Sequence, residues 1–379
     1  MQPGDNKTPY TETWNFMVDQ RVAWNSILEV QYQGNRSRNM LISGNGTGGV
    51  HQANINYPPP GSEFKPDPVT GITYFCQGAA SSTCVTGGPP SGAMPDFFPW
   101  DYDDLYVFNH KSLSNYNAMM VQWMKQAGPA VFNLNWTWGH TLGFREGNND
   151  NGRSAGASLD AFSLTDNYGT LAFDRRHIFK ASYVLNLPKP IHHNPFLGGV
   201  VNGWQISGDT QYETGVPLQP LTNGNLLADF PAGVSNQSVL GTTEIQLVPL
   251  LSCNPGKNLA SGQRFNPSCF VSPSNVTTTG PSVVGTNGPF VWPNITTPPF
   301  FNSDLGLYKN FKITEREAIQ FRITASNSLN HPLPQFNLTN DLDLQFATPG
   351  GGNVNPNFTG KPAYTIGNRT LELALKFTF

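Results

Sequence analysis

Leu371-Glu372-Leu373-Ala374-Leu375-Lys376-Phe377-Thr378-Phe379 ends the chain, and every second side chain in it is apolar. Successive residues of a β-strand point to opposite faces. Leu371, Leu373, Leu375, Phe377 and Phe379 therefore share one flank, while Glu372, Ala374, Lys376 and Thr378 share the other. A soluble protein seldom stops in the middle of its strongest strand. A membrane-spanning β-barrel does, because its last strand must pair and leave no open edge in lipid. The nonapeptide reads as a C-terminal barrel strand with its five apolar side chains turned to lipid.

Working outward, the same period of two recurs in eight upstream segments. Trp14 to Gln20 sets Trp14, Phe16 and Val18 against Asn15, Met17 and Asp19, and Ser26 to Gln33 sets Leu28, Val30 and Tyr32 against Glu29, Gln31 and Gln33. Tyr116 to Lys125 carries Met119, Val121 and Trp123 on its apolar flank; Phe132, Leu134, Trp136 and Trp138 then alternate with Asn133, Asn135 and Thr137. His177 to Leu187 opposes Phe179, Ala181, Tyr183, Leu185 and Leu187 to Lys180, Ser182 and Asn186. A Pro-rich link through Pro188, Pro190 and Pro195 is expected to lead into a strand from Val201 to Thr214, with Trp204, Ile206 and Tyr212 opposing Gln205, Ser207, Asp209 and Gln211. Leu305, Leu307 and Phe311 mark a seventh segment, and Ile319, Phe321 and Ile323 alternate with Gln320, Arg322 and Thr324 in an eighth.

The links between these segments alternate in length. Those joining first to second, third to fourth, fifth to sixth and seventh to eighth are roughly 4 to 13 residues; the others run to roughly 35 to 90, far beyond the usual connection in a compact domain. Outer-membrane barrels have short periplasmic turns and long extracellular loops, so the alternation assigns a side to every strand end. It also puts Phe379 on the periplasmic side and the residues before Trp14 on the opposite side. Single-chain bacterial barrels have an even strand number, and residues 1 to 30 show no basic stretch, apolar run and cleavage site. The expectation is a chain incomplete at its N-terminus, or one with a tenth strand inside a long loop.

Composition narrows the classes. Only 38% of the residues are hydrophobic, and no window approaches the roughly 18 consecutive apolar residues of a transmembrane helix, so a helical membrane protein is excluded. Charged residues make up 12%, about half the usual share, and the net charge is -3, which gives no footprint for nucleic acid. The aromatic residues are plentiful and concentrated in the alternating segments, which is compatible with interfacial girdles on a barrel.

Several motifs in order carry a family resemblance. Thr8-Pro9-Tyr10 with Trp14-Asn15, Leu28-Glu29-Val30, Ser114-Asn115-Tyr116-Asn117-Ala118, Trp136-Thr137-Trp138, Phe173-Asp174-Arg175-Arg176-His177, Asn202-Gly203-Trp204-Gln205-Ile206-Ser207-Gly208, Asn327-Ser328-Leu329-Asn330-His331-Pro332 and the closing Leu375-Lys376-Phe377-Thr378-Phe379 together resemble the C-terminal barrel portion of Oar-like TonB-dependent transporters. The resemblance covers residues 1–379 as one barrel portion. It implies an all-β, antiparallel transmembrane barrel of which this chain holds about nine or ten strands out of 22, preceded in the family by a signal peptide, a regulatory-like domain and a plug. It further implies an outer-membrane location and uptake of a large solute or peptide. The partners it implies are outer-membrane lipid and the barrel-assembly machinery, with TonB reached only through the N-terminal regions, in a monomer.

Four cysteines form two local groups, Cys76 with Cys84 and Cys253 with Cys269, each within one long link. Four cysteines allow three connectivities; the local pairing is preferred, in keeping with an oxidising compartment. Neither pair has zinc-site spacing. His192-His193 reads as a pair of solvated turn residues, and Asp174-Arg175-Arg176-His177 as an ion-pair and hydrogen-bond network at a strand entry. Asp101, Asp103 and Asp104 form an acidic loop without the spacing of an EF-hand. There is no nucleophile elbow, phosphate loop or metalloprotease helix, so no enzyme activity, metal or cofactor is expected. Glu29, Gln31, Asn133, Asn135, Lys180, Gln205, Asp209, Gln320 and Arg322 are expected to line a wet lumen. A passive porin and a soluble secreted adhesin or glycan-binding protein are the alternatives.

Overall fold

The structure is a computed structural model. It describes residues 5–42, 53–54, 59–73, 82–83, 106–107, 109–144, 160, 162–163, 165–171, 173–218, 228–242, 245–274, 284–290, 292, 295–314, 317–337 and 341–379. Within them, nine long strands pair in simple chain order: β1 (Tyr10–Val22), β2 (Ser26–Ile42), β3 (Asn109–Lys125), β4 (Ala130–Phe144), β5 (His177–Asn186), β6 (Trp204–Glu213), β7 (Phe300–Lys312), β8 (Ala318–Ser326) and β9 (Thr370–Thr378). Every neighbouring pair is antiparallel, and a short strand, Tyr168–Thr170, adds to the outer end of β4. Each sequence segment with alternating polarity is a strand of this meander. Among the described residues β1 and β9 do not pair, so the sheet remains open.

Register places the side chains. Met119, Trp138 and His177 form one cross-strand row, and Trp136, Phe179, Tyr212 and Phe301 form the next on the same face. Leu134 with Ala181, Leu307 with Ile323 and Leu373, and Phe311 with Ile319 and Phe377 continue that face across the sheet. The opposite face pairs Asn135 with Lys180 and Gln211, and Gln320 with Lys376. One surface is thus mainly apolar and the other mainly polar.

The same register gives the strand tilt. Starting from Lys125, at the short-turn end of β3, the cross-strand line runs through Phe132, Tyr183, Gly208, Leu305 and Ala325 to Leu371. Leu371 lies seven residues from Thr378, the short-turn end of β9. Seven residues at about 3.4 Å over six strand spacings of about 4.8 Å correspond to a slope near 40° between strands and barrel axis. Transmembrane barrels tilt by about 35–45°. The stagger is that of a barrel wall.

Among the described residues the sheet has no second layer. Of the buried hydrophobic residues, only Ala118 and Ala181 belong to it; Phe265, Phe270, Leu342, Leu344, Val239 and the others come from the connections. On β9, Leu373 and Leu375 are 70% and 74% exposed, and Phe16 on β1 is 68% exposed. These side chains require an apolar medium outside the molecule.

Trp123, Phe132, Trp204, Phe311 and Phe377 all lie within a few residues of the short-turn ends, forming one aromatic row, and Tyr212 lies eight residues further along β6. About 27 Å of strand at a tilt near 40° spans about 20 Å of height, close to the apolar band of a membrane barrel. Lys309 stands on the apolar face beside the lower row. Its ammonium donates to the carbonyl of Asn202 and lies 5.7 Å and 5.2 Å from the rings of Trp204 and Phe311, so the charge is carried to the interface.

One link departs from expectation. Between β5 and β6 the chain forms a short helix, α1 (Pro195–Val201), so Val201 is helical and the strand starts at Trp204. Asn194 caps it, its side chain accepting from the Leu197 N–H at 3.0 Å, and Pro195 fits the first helical position, where no N–H is needed. His192 and His193 precede it and are exposed.

Candidate functional site

The long connections form a folded module at one end of the sheet. In its first core, Leu218, Phe265, Phe270, Trp292 and Ile295 of the β6–β7 connection pack with Phe336, Leu342, Leu344, Phe346 and Phe358 of the β8–β9 connection. Phe265 is its hub, with Phe270, Phe336 and Phe358 ring centroids at 5.9, 5.9 and 4.9 Å. A second core joins Val239, Leu240, Ile245, Leu247, Val248 and Phe290 to Phe162 of the β4–β5 connection. Burial of each large side chain contributes roughly 1.5–3 kcal/mol, enough to order segments that lack regular structure. Cys253 and Cys269 are joined by a disulfide in this module. Cys76, Cys84, Asp101, Asp103 and Asp104 lie outside the described residues.

The β2–β3 connection docks on α2 (Asn236–Leu240), a helix closed by a Ser235–Ser238 capping box and a left-handed Gly241. Gly61 N–H donates to Leu240 O at 2.8 Å and Glu63 N–H to Gly241 O at 3.2 Å. Glu63 is fully buried. Burial pushes its carboxyl up to about 7, only partly offset by a side-chain hydrogen bond from Gln237.

Where the module meets the strand ends, a cavity of about 400 Å³ opens. Its strand side comes from Thr170, Asp174, Arg176 and His177 at the entry to β5 and from Tyr212 and Thr214 at the exit of β6. Its other side is built by Pro217, Leu218, Arg264, Trp292, Ile295 and Thr296. Two hydrogen bonds fix the strand side: Thr214 N–H donates to His177 O at 3.0 Å, and His177 N–H to Thr214 Oγ1 at 3.1 Å. The chain leaving β6 pairs with the chain entering β7, since Leu218 N–H donates to Ile295 O and Thr297 N–H to Val216 O. Gly215 permits this approach; a Cβ there would stand 1.8 Å from the carbonyl oxygen of Thr297.

The Asp174-Arg175-Arg176-His177 segment is a strand-entry network. Asp174 Oδ1 accepts from Thr141 N–H at 2.6 Å, Arg176 lies 3.8 Å from Asp174, and Arg175 pairs with Glu213 at 2.9 Å while donating to Thr214 O. Arg264 donates to Thr296 Oγ1 at 3.0 Å and to Thr297 O at 3.3 Å. Burial draws its guanidinium below the usual value, with Tyr212 opposing. Arg264 and Trp292 sit in segments with no periodic pattern, and sequence reasoning did not single them out. The expected lumen residues Glu29, Gln31, Asn133, Asn135, Lys180, Gln205, Asp209, Gln320 and Arg322 lie together on the polar face.

Among solved structures, the outer membrane transporter YddB from Escherichia coli aligns at 9% identity with a TM-score of 0.36, covering 99% of this chain. The present chain spans 33% of that one. A search of curated proteins found no match. The sequence model of the outer membrane beta barrel domain matches residues 1–366. With the antiparallel staggered sheet and its single apolar face, the match shows that this chain is an outer-membrane protein and belongs to the outer membrane beta barrel domain family.

Proposed function

We propose that the chain is the C-terminal barrel portion, residues 1–379, of an Oar-like TonB-dependent transporter that takes up a large solute or peptide. The observation that carries this reading is the folded module on the long-connection side. A diffusion pore needs open access to its lumen, whereas here segments from all four long connections interlock around two hydrophobic cores at one end of the wall. Such a module is suited to recognising a solute before entry. The ordered motifs from Trp14 to Phe379 support the same assignment. In the whole protein, further strands would pair the free edge of β1, a plug would meet the polar face and TonB would act through that plug. No catalytic step is part of the proposal.

The test is uptake by cells carrying the gene, measured with a pool of labelled peptides and glycans. Accumulation that disappears on deletion of the gene and on collapse of the proton gradient is expected. Steady ion conductance of the reconstituted protein in planar bilayers, with uptake indifferent to the gradient, would support a passive porin instead.

A further inference from the structure

The short helix α1 carries an apolar surface that no described residue covers. Within it Phe196, Leu197, Val200 and Val201 are all exposed, Phe196 by 78%, and Leu187 is exposed where the chain leaves β5. At about 100° per residue these four side chains fall on one stripe roughly 140° wide, with Gly198 and Gly199 on the other side. The glycine side is the packed one. A Cβ on Gly198 would stand 3.2 Å from the Ile191 carbonyl oxygen.

Hydrogen bonds close the link around the helix. Asn202 donates from Nδ2 to Ile191 O at 2.5 Å while its Oδ1 accepts from the Ile191 N–H at 3.1 Å, and Leu187 N–H donates to Trp204 O at 2.9 Å. This frame holds the apolar stripe outward in one arrangement.

Two further contacts decide which side of the wall the helix occupies. Trp204 and Lys309 stand opposite each other on the apolar face, in the row continued by Phe321 and Leu375. The Trp204 indole N–H donates to Val200 O at 2.9 Å, and the Lys309 ammonium donates to Asn202 O. Both side chains reach out from the lipid-facing surface to hold the helix, so α1 lies on the lipid side and not over the lumen. Trp204 also belongs to the aromatic row at the short turns, which are the periplasmic ends of the strands. The stripe of α1 therefore continues the lipid-facing surface at the level of the headgroups. An apolar helix face at that level enters the boundary between headgroups and acyl chains by about 5–10 Å.

We propose that α1 is an interfacial anchor whose Phe196, Leu197, Val200 and Val201 insert into the phospholipid leaflet on the periplasmic side. Lys189, His192 and His193, exposed ahead of the helix, stay in the headgroup layer. The proposal rests on outer-membrane location and not on transport, so uptake assays do not bear on it.

The full chain, carrying a photoreactive benzophenone side chain at one position at a time, would be irradiated in native outer membranes and its adducts identified by mass. At Phe196 and at Val200 the phospholipid adducts should come within about twofold of those at Leu373 on the lipid face, and exceed those at Asn135 on the polar face by at least about fivefold. Phe196→Ser combined with Val200→Ser, read from a benzophenone at Leu197, should lower the phospholipid yield at least about threefold. Neither side chain belongs to a described core, so the strand signal in circular dichroism should stay unchanged in that variant. Adducts at Phe196 with another protein or with a second copy of this chain, in place of phospholipid, would overturn the proposal. So would a yield at Phe196 equal to that at Asn135, or an unchanged yield in the double variant. Glycolipid adducts in place of phospholipid would put α1 in the outer leaflet and overturn it as well.

Discussion

At the scale of single residues, the loop module contains groups whose environment sets a measurable response. Glu63 is fully buried, and that burial raises its carboxyl from 4.5 to about 7 in the folded protein. The native state therefore holds this proton more tightly than the unfolded chain does. The associated stability is complete below pH 4.5 and is lost as pH rises through 7, to the extent of about 3 kcal/mol. Thermal melting of the module followed from pH 4 to 8 should show this decline, and Glu63→Gln should flatten it. An unchanged slope in the variant would refute the assignment.

Gly360 is a second such residue. It has φ +74, accepts from Arg264 N–H at 2.7 Å, and would bring a Cβ within 2.0 Å of the Phe265 carbonyl oxygen. Gly360→Ala combines a left-handed backbone with a backbone clash and should destabilise the module by about 3 kcal/mol or more, seen as rapid protease cleavage of the long connections while the strands stay protected. Neither residue was legible in the sequence. Glu63 and Gly360 acquire their roles from Gly241 and Phe265, residues more than 90 positions away, and no local pattern encodes those meetings. By contrast Asp174-Arg175-Arg176-His177 was legible as a strand-entry network, because its partners lie at the ends of adjacent strands.

At the scale of elements, each strand separates two media, and that is why the strands could be read. An apolar outside and a wet inside impose a period of two on every strand, from Trp14 to Phe379. Leu134 lies midway between Ala130 and Trp138, on the apolar face. Leu134→Arg should cost about 2–4 kcal/mol in urea unfolding from bilayers, and Asn135→Arg on the polar face far less. Equal costs would remove the distinction between the faces. The connections impose no period, since their cores draw isolated residues such as Phe265, Phe336 and Phe358 from separate segments. The Cys253 and Cys269 group was the visible sign that its stretch folds. The Cys253–Cys269 disulfide closes a sequence separation of 16, for which chain entropy gives a stabilisation of about 3 kcal/mol. Reductant should lower the melting of the module by that measure and leave the strand signal in circular dichroism unaltered. Helix α1 was the element that the sequence reading passed over: prolines suggested an extended link, although Asn194-Pro195 is a cap followed by a residue suited to a helix start.

At the scale of the whole molecule, the sheet is an inside-out object. Its buried hydrophobic residues lie almost entirely in the rim module, while the large wall exposes rows of Leu, Phe and Trp. The stagger from Lys125 to Leu371 tilts the strands by about 40°, as closure of a barrel demands, and Tyr212 stands about 20 Å in height above the aromatic row at the short turns. Among the described residues β1 and β9 present unpaired edges, and the sheet is an open one.

The most direct test of the account is the medium that touches the apolar face. Spin labels placed singly at Leu134, Phe179, Leu373 and Leu375, and at Asn135, Lys180 and Ala374, would be read in lipid bilayers by collision with oxygen and with a water-soluble nickel chelate. The first set should be accessible to oxygen and shielded from nickel, the second the reverse. The same nickel accessibility at both sets, or immobile labels at Leu373 and Leu375 packed against protein, would contradict it.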